Sequence, residues 1–454
     1  MKKWITPVLL FAAVLLVGYF FQRFTLILQE YEGLFLATPD GWARALAQPL
    51  PFSGIVSDFL VQFYRDPLYG ALISATLITL TFLLLKGLLS RLGLPSDSLA
   101  ALGAGVLYVF QAHASQPKPA VFGVLVLLAA WLLGLLLPRR KARPWKADIP
   151  LALGAVLAAS AAVVLSPAVQ RTERFSRVKQ DALYGIWEDL LAAVPPSVAM
   201  EDPELTPFAL LALSGKGELG EKMFTYPVYE ENDLDMVLYD GKTDYYTSLL
   251  FKACLYQYLG CYNEAVHNYY QWATQQSKGT SFIVLRRLVE LYYLLGDYTL
   301  MEKYCRILEH STLNGAYVRH FRKLAAQGTP HEAESAAVRA QIPVISHDPL
   351  YNLLLLESYG FQSALSPDRM LSTLLLRNQG AQFMLAVERL APAYKRIPTL
   401  FQEAMLVWGA QPDRVEEAVL ARYLDFRRDV LTLPQDALEA RYQGTAFLFL
   451  SQAE

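Results

Sequence analysis

Five long apolar stretches fill the chain up to residue 169, and none follows. About 20 apolar residues is the length at which a helix can cross the hydrocarbon core of a bilayer while satisfying its own backbone polar groups. The stretches run from about residue 4 to 21, 68 to 89, 94 to 111, 120 to 137 and 149 to 169. Their charged residues keep to the ends, which counts against a transporter, because ion and proton pathways place ionisable groups inside the spans. Residues 170–454 have an ordinary mix of charges and only short apolar runs. The expected fold is therefore all-α. Residues 1–169 form a bundle of five transmembrane helices, the third being the one whose full crossing is open, and residues 170–454 form a helical domain outside the membrane.

Basic residues set the expected orientation. Lys2 and Lys3 precede the first stretch, Lys86 and Arg91 lie by the turn between the second and third, and Arg139, Arg140, Lys141, Arg143 and Lys146 lie between the fourth and fifth. With five spans these fall on one side, the cytoplasmic side by the positive-inside rule. The outer loop 22–67 and residues 170–454 then face the periplasm of a bacterial inner membrane. Met1-Lys2-Lys3 begins like a signal peptide, but Tyr19-Phe20-Phe21-Gln22-Arg23 offers no small-residue cleavage site, so the first stretch reads as an uncleaved anchor.

The outer loop holds more than a linker needs. Phe52, Ile55, Val56, Phe59, Leu60 and Phe63 recur at helical spacing, with Ser53, Asp58 and Gln62 opposite. This predicts an amphipathic helix over about 52–63, ended by Pro67, lying on the outer leaflet or on the bundle. Glu30, Glu32 and Asp40 stand in the same loop. Membrane glycosyltransferases acting on lipid-linked glycans place acidic residues in their first outer loop, so these three carboxylates are what an enzymatic reading would rest on. The plainer reading is solvated loop carboxylates.

In the second half, Leu255-Tyr256-Gln257-Tyr258-Leu259-Gly260-Cys261-Tyr262 is echoed by Leu291-Tyr292-Tyr293-Leu294-Leu295-Gly296-Asp297-Tyr298, 36 positions on. Each block predicts a helix, a turn at the glycine and a second helix. Ala253, Tyr256, Gly260, Tyr262, Ala265 and Tyr269 resemble the tetratricopeptide repeat, although Val289, Met301 and Cys305 depart from it and its usual period is about 34. The resemblance implies an α-α solenoid whose first helices line a concave, partner-holding face. By position that face takes Thr247, Cys254 and Gln257 in one copy and Arg286, Glu290 and Tyr293 in the next.

Other chemistries find little footing. The net charge of −2 lacks the basic face that nucleic acid requires. Cys254, Cys261 and Cys305 form no C-x-x-C pair and read as buried small side chains. Glu230, Glu231, Asp233, Asp235, Asp240 and Asp244 lack the EF-hand spacing, and His331-Glu332-Ala333-Glu334-Ser335 lacks the second histidine of a zincin. No phosphate-binding, dinucleotide or nucleophile-elbow motif occurs, so no metal or cofactor is expected.

Several further stretches resemble an uncharacterised family of multi-span envelope proteins from Bacteroidetes. They are Phe59-Leu60-Val61-Gln62-Phe63-Tyr64 with Pro67 and Gly70-Ala71-Leu72, then Leu213-Ser214-Gly215-Lys216-Gly217-Glu218-Leu219-Gly220 with Met223-Phe224-Thr225-Tyr226-Pro227. Leu374-Leu375-Leu376, Pro398, Gln402-Glu403-Ala404 and Gly444-Thr445 complete the set. The resemblance implies placement and architecture, not a mechanism. The expected function is a non-catalytic protein–protein interaction scaffold in cell-envelope assembly, touching the lipid bilayer and an envelope protein partner. The alternative is a glycosyltransferase-like enzyme working through Glu30, Glu32 or Asp40.

Overall fold

The computed structural model describes residues 4–47, 49–136, 138, 147–236, 245–275, 279–327, 348–358, 363 and 365–452, and among these every regular element is helical. The apolar stretches form α1 (Ile5–Phe21), α5 (Pro67–Leu92), α6 (Ser96–Ala114), α7 (Lys118–Gly134) and α8 (Asp148–Val164). Between α1 and α5 lie α2 (Arg23–Glu32), α3 (Pro39–Leu46) and α4 (Pro51–Val61). Local chemistry sets these limits. Thr38 and Asp66 cap α3 and α5, each ahead of a proline, which lacks the N–H that a first helical residue cannot use.

Five membrane-crossing helices are more than length and composition support. By those criteria α5 alone qualifies. α1 and α2 qualify only together, across a 78° bend at Gln22, as do α8 and the helix Pro167–Tyr184, across a 51° bend. α7 is a shorter apolar helix, so the described residues hold one to three candidate spans. The last apolar stretch stops short of residue 169 because Pro167 restarts the helix and disfavours helical geometry in Ser166. Lys2, Lys3 and the basic run 139–146 lie outside the described residues.

The chain packs as two compact units. The first comprises Met1–Arg177, Gln276–Tyr293 and Tyr298–Gly328, and the second Val178–Gln275, Leu294–Asp297 and Thr329–Glu454. In the first, α1, α5, α6 and α8 meet through small residues: Ala71, Ala75, Ala100, Ala101, Ala104 and Ala152 are fully buried. Leu16, Phe20, Leu102, Val106, Phe110, Leu133 and Leu157 point outward. Larger side chains such as Leu10, Ile78, Phe82 and Tyr108 also fill this core, but so many outward Leu, Val and Phe residues are unlike the surface of a water-soluble bundle.

α4 also turns apolar residues outward. Its polar face, Ser53, Ser57 and the following Gln62, is buried, whereas Phe52, Val56 and Phe59 are exposed. Small side chains on the inner face let α4 pack closely on α7, which leaves the aromatic residues outside.

The second unit is a series of helical hairpins with one recurring turn. At Gly185, Gly217, Gly260, Asn378 and Gly409 the backbone enters the left-handed region, with φ of 67°, 68°, 79°, 51° and 86°. In each turn the following N–H bonds a carbonyl five residues back: Ile186 to Asp181, Glu218 to Leu213, Cys261 to Tyr256, Gln379 to Leu374 and Ala410 to Met405, at 2.8–3.0 Å. This closure satisfies a carbonyl that the helix end would otherwise leave open. The repeat glycine Gly260 thus makes the turn its position predicts, and Gly296 also has a positive φ, 72°. The second copy is divided, with Leu291–Tyr293 and Tyr298 in the first unit and Leu294–Asp297 in the second.

Candidate functional site

The outer loop of the first unit is anchored by a buried ion pair. Glu30, on α2, is 1% exposed, and both its oxygens accept from the Arg286 guanidinium. Arg286 is itself buried, and its Nε donates to Asn314 Oδ1 at 2.9 Å. Asn314 in turn donates to Ser311 Oγ at 2.7 Å. Main-chain bonds extend the seam: Phe282 N to Gly33 O (2.9 Å) and Ala37 N to His310 O (3.0 Å). Gln62 Oε1 accepts from Thr312 N at 3.0 Å. Burial of both charges demands full pairing, and this network provides it.

That arrangement corrects several site assignments. Arg286 and Thr247 were expected on an open concave face, yet each is 4% exposed, so neither presents a surface to a partner. Gln257 accepts from the Tyr269 hydroxyl at 3.1 Å within its own hairpin. Glu290 accepts from Arg287 (2.5 Å) and from the Tyr317 hydroxyl (3.1 Å). Burial pushes the Tyr317 hydroxyl well above the usual tyrosine range. Tyr293 is half-buried in an aromatic group, 5.7 Å from Phe321 and 6.2 Å from Tyr298 between ring centroids, with Tyr317 4.9 Å from Phe321. No local signal marks Glu30 as the partner of Arg286, because 256 positions separate them.

The three loop carboxylates do not converge. Glu30 is held by Arg286. Asp40 stands in the first turn of α3, where a negative charge suits the helix N-terminus. Glu32 lines a cleft of about 160 Å³ together with Gln29, Gly54, Ser57, Asp58, Gln116 and Lys118. Asp58 is the carboxylate that the sequence left on the polar side of an amphipathic helix. The fold of the loop brings it to Glu32.

Below this mouth the break between α1 and α2 is held by another carboxylate. Phe24 N and Thr25 N each donate to Glu173 at 2.8 Å, and the Thr25 hydroxyl donates at 2.7 Å. Burial raises the Glu173 carboxyl above the ordinary range, and these hydrogen bonds oppose the shift.

The remaining candidate residues have structural partners. Two carboxylates of the acidic stretch are paired: Glu231 with Arg377, and Asp235, buried, with Arg369. Asp240, Asp244, His331 and His347 lie outside the described residues. Among the described residues no group of three or more His, Cys, Asp or Glu is placed to hold a metal. The three cysteines are buried and unbonded to one another, and burial pushes the Cys305 thiol up to about 11, away from a reactive thiolate.

Residues 1–200 and 183–453 both match one family model, described as a family of unknown function, DUF6057. No curated protein and no solved structure matches the chain.

Proposed function

The chain belongs to that family of unknown function, and from that premise we propose a membrane-anchored interaction scaffold of the cell envelope. In this reading the protein is a five-span inner-membrane protein of Bacteroidetes. Its tetratricopeptide-like solenoid faces the periplasm and holds an envelope protein partner. The observation that carries the scaffold is the half-buried aromatic group of Tyr293, Tyr298, Tyr317 and Phe321, seated beside the Arg286–Glu30 network. Aromatic side chains on a rigid support lose little conformational freedom on binding and dominate interface energetics. The outward apolar residues of the α1–α8 bundle support the membrane setting.

In-cell crosslinking of the tagged protein, followed by mass spectrometry, tests the scaffold. The double variant Tyr293→Ala/Phe321→Ala should lose a recurrent envelope protein while keeping its thermal melt. Retention of every partner by this variant would sink the reading. The enzymatic alternative keeps one favourable observation, the meeting of Glu32 and Asp58 in a cleft. It no longer has Glu30, whose oxygens are committed to Arg286. Loss of cellular function from Glu32→Gln alone, with the aromatic variant tolerated, would favour it.

A further inference from the structure

We infer that the cleft at the mouth of the first unit is the headgroup site for a zwitterionic primary-amine phospholipid, of the phosphatidylethanolamine class. The charges in its lining are of both signs, Glu32 and Asp58 against Lys118, which matches a headgroup carrying an ammonium and a phosphate. At about 160 Å³ it has room for such a group. Lys118, at the start of α7, is the cation of the lining and the group that would meet a phosphate. Gln29 lines the same cleft. Glu32 and Asp58 bring acceptor oxygens to the lining, to which a primary ammonium can donate and a quaternary one cannot. Among the described residues no aromatic side chain lines the cleft, so they supply no cage of the kind that recognises choline.

The acyl chains have a surface to follow. α4 contributes Gly54, Ser57 and Asp58 to the cleft and turns Phe52, Val56 and Phe59 outward on its other side. One short helix thus presents a polar wall to a headgroup and an apolar wall to hydrocarbon. This site is independent of the scaffold reading, since it requires no protein partner.

Native mass spectrometry of the delipidated full-length protein, reloaded with defined lipids, tests the assignment. Phosphatidylethanolamine should be retained over phosphatidylcholine and phosphatidylglycerol. Retention should fall stepwise through the mono-, di- and trimethylated headgroups, a series that needs only the wild-type protein. Glu32→Gln/Asp58→Asn and Lys118→Ala should each weaken phosphatidylethanolamine binding by about tenfold, as the loss of a charge-assisted contact implies. Equal retention of the ethanolamine and choline lipids would overturn the proposal. So would a polyprenyl phosphate sugar that outcompetes both, which would restore the enzymatic reading instead.

Discussion

Glu403 shows how a family-like motif can be a structural device. Its side chain is fully buried, and Oε2 accepts from Ala446 N at 2.8 Å, tying Gln402-Glu403-Ala404 to the turn after Gly444-Thr445. Burial pushes its carboxyl up to about 7, with the Ala446 N–H and Arg422 opposing. The folded state therefore keeps a proton that the unfolded chain releases near pH 4.5. The contribution of this group is full below that pH, declines as pH rises towards 7, and is lost above it. Glu403→Gln retains an acceptor for Ala446 and removes the titration. Chemical denaturation from pH 4.5 to 8 should show the variant gaining on the wild type as pH rises, by at most about 3 kcal/mol. A constant difference across that range would refute the account. The glycines of the stretch 213–220 have an equally plain reason. A Cβ on Gly215 would come within 2.4 Å of the Trp187 ring, and one on Gly220 within 2.6 Å of the Phe401 ring. Gly220→Ala should cost about 1–3 kcal/mol in a thermal or urea melt, as overpacking of a tight contact does. Arg286→Ala should cost about 3–5 kcal/mol, because it leaves the Glu30 carboxylate buried and unpaired. The double variant Arg286→Met/Glu30→Leu should recover much of that loss, since replacing both charges removes the desolvation penalty with the pair.

At the scale of elements, the hairpin turns divide what was legible from what was not. Gly260 and Gly296 stand out because each sits in a repeated Leu-Tyr frame, and both take the left-handed backbone expected of them. Asn378 makes the same turn without a glycine, so composition alone hides it. The two should respond oppositely. Gly260→Ala places a side chain where L-residues are disfavoured and should cost about 1–2 kcal/mol. Asn378→Gly relieves that conformation and should be neutral or stabilising, by less than about 1 kcal/mol. Paired urea melts read both, and equal destabilisation by the two changes would contradict the turn assignment. The outer-loop helix was legible in position but not in pose. Spacing placed a helix over 52–63, yet hydrophobicity says nothing of which face turns inward when the neighbour is a membrane bundle. Close packing of Ser53 and Ser57 decided it, with Phe52 and Phe59 left outside. Arg286 and Thr247, expected on the concave face, are buried for a related reason. A positional carry-over assumes that both repeat copies stack alike, and Arg286 instead packs against Glu30 near the end of α2.

For the whole molecule, the proposed five-crossing arrangement goes beyond the one to three spans that length and composition support, and contacts within the first unit bear on it. At about 1.5 Å per residue, α5 is about 39 Å long, whereas α1, α7 and α8 are each about 26 Å, below the roughly 30 Å of an average hydrocarbon core. α6, with 19 residues, is about 28 Å, so length alone would leave these four short of a full crossing. Their ends, however, alternate. Gln29 and Asp58 of the outer loop share a cleft with Ser115 and Lys118, at the junction of α6 and α7. Ser166, just past α8, bonds His113 at 2.9 Å, and Glu173 holds the start of α2. At the opposite end, Lys86 pairs with Asp97 (2.6 Å), Arg91 bonds the Gly134 carbonyl (3.2 Å), and Asp148 accepts from Ser98 N (2.8 Å). Each of α6, α7 and α8 therefore has one end in each group of contacts, while the end of α1 lies in the first group and the end of α5 in the second. In the membrane setting proposed above, a bilayer thinned locally by a few ångström would accommodate such helices at modest cost, with the outward Leu and Phe residues as its contact. The placement that follows is specific. An alkaline phosphatase reporter fused after Gln116 should be active in the periplasm, as should one fused at residue 452, and one fused after Leu92 should be inactive. The fusion after Gln116 is decisive, because a re-entrant α6–α7 pair would leave the C-terminal reporter active and silence that one. An inactive reporter there would mean that the turn 115–118 lies on the cytoplasmic side, and the five-crossing placement would fall.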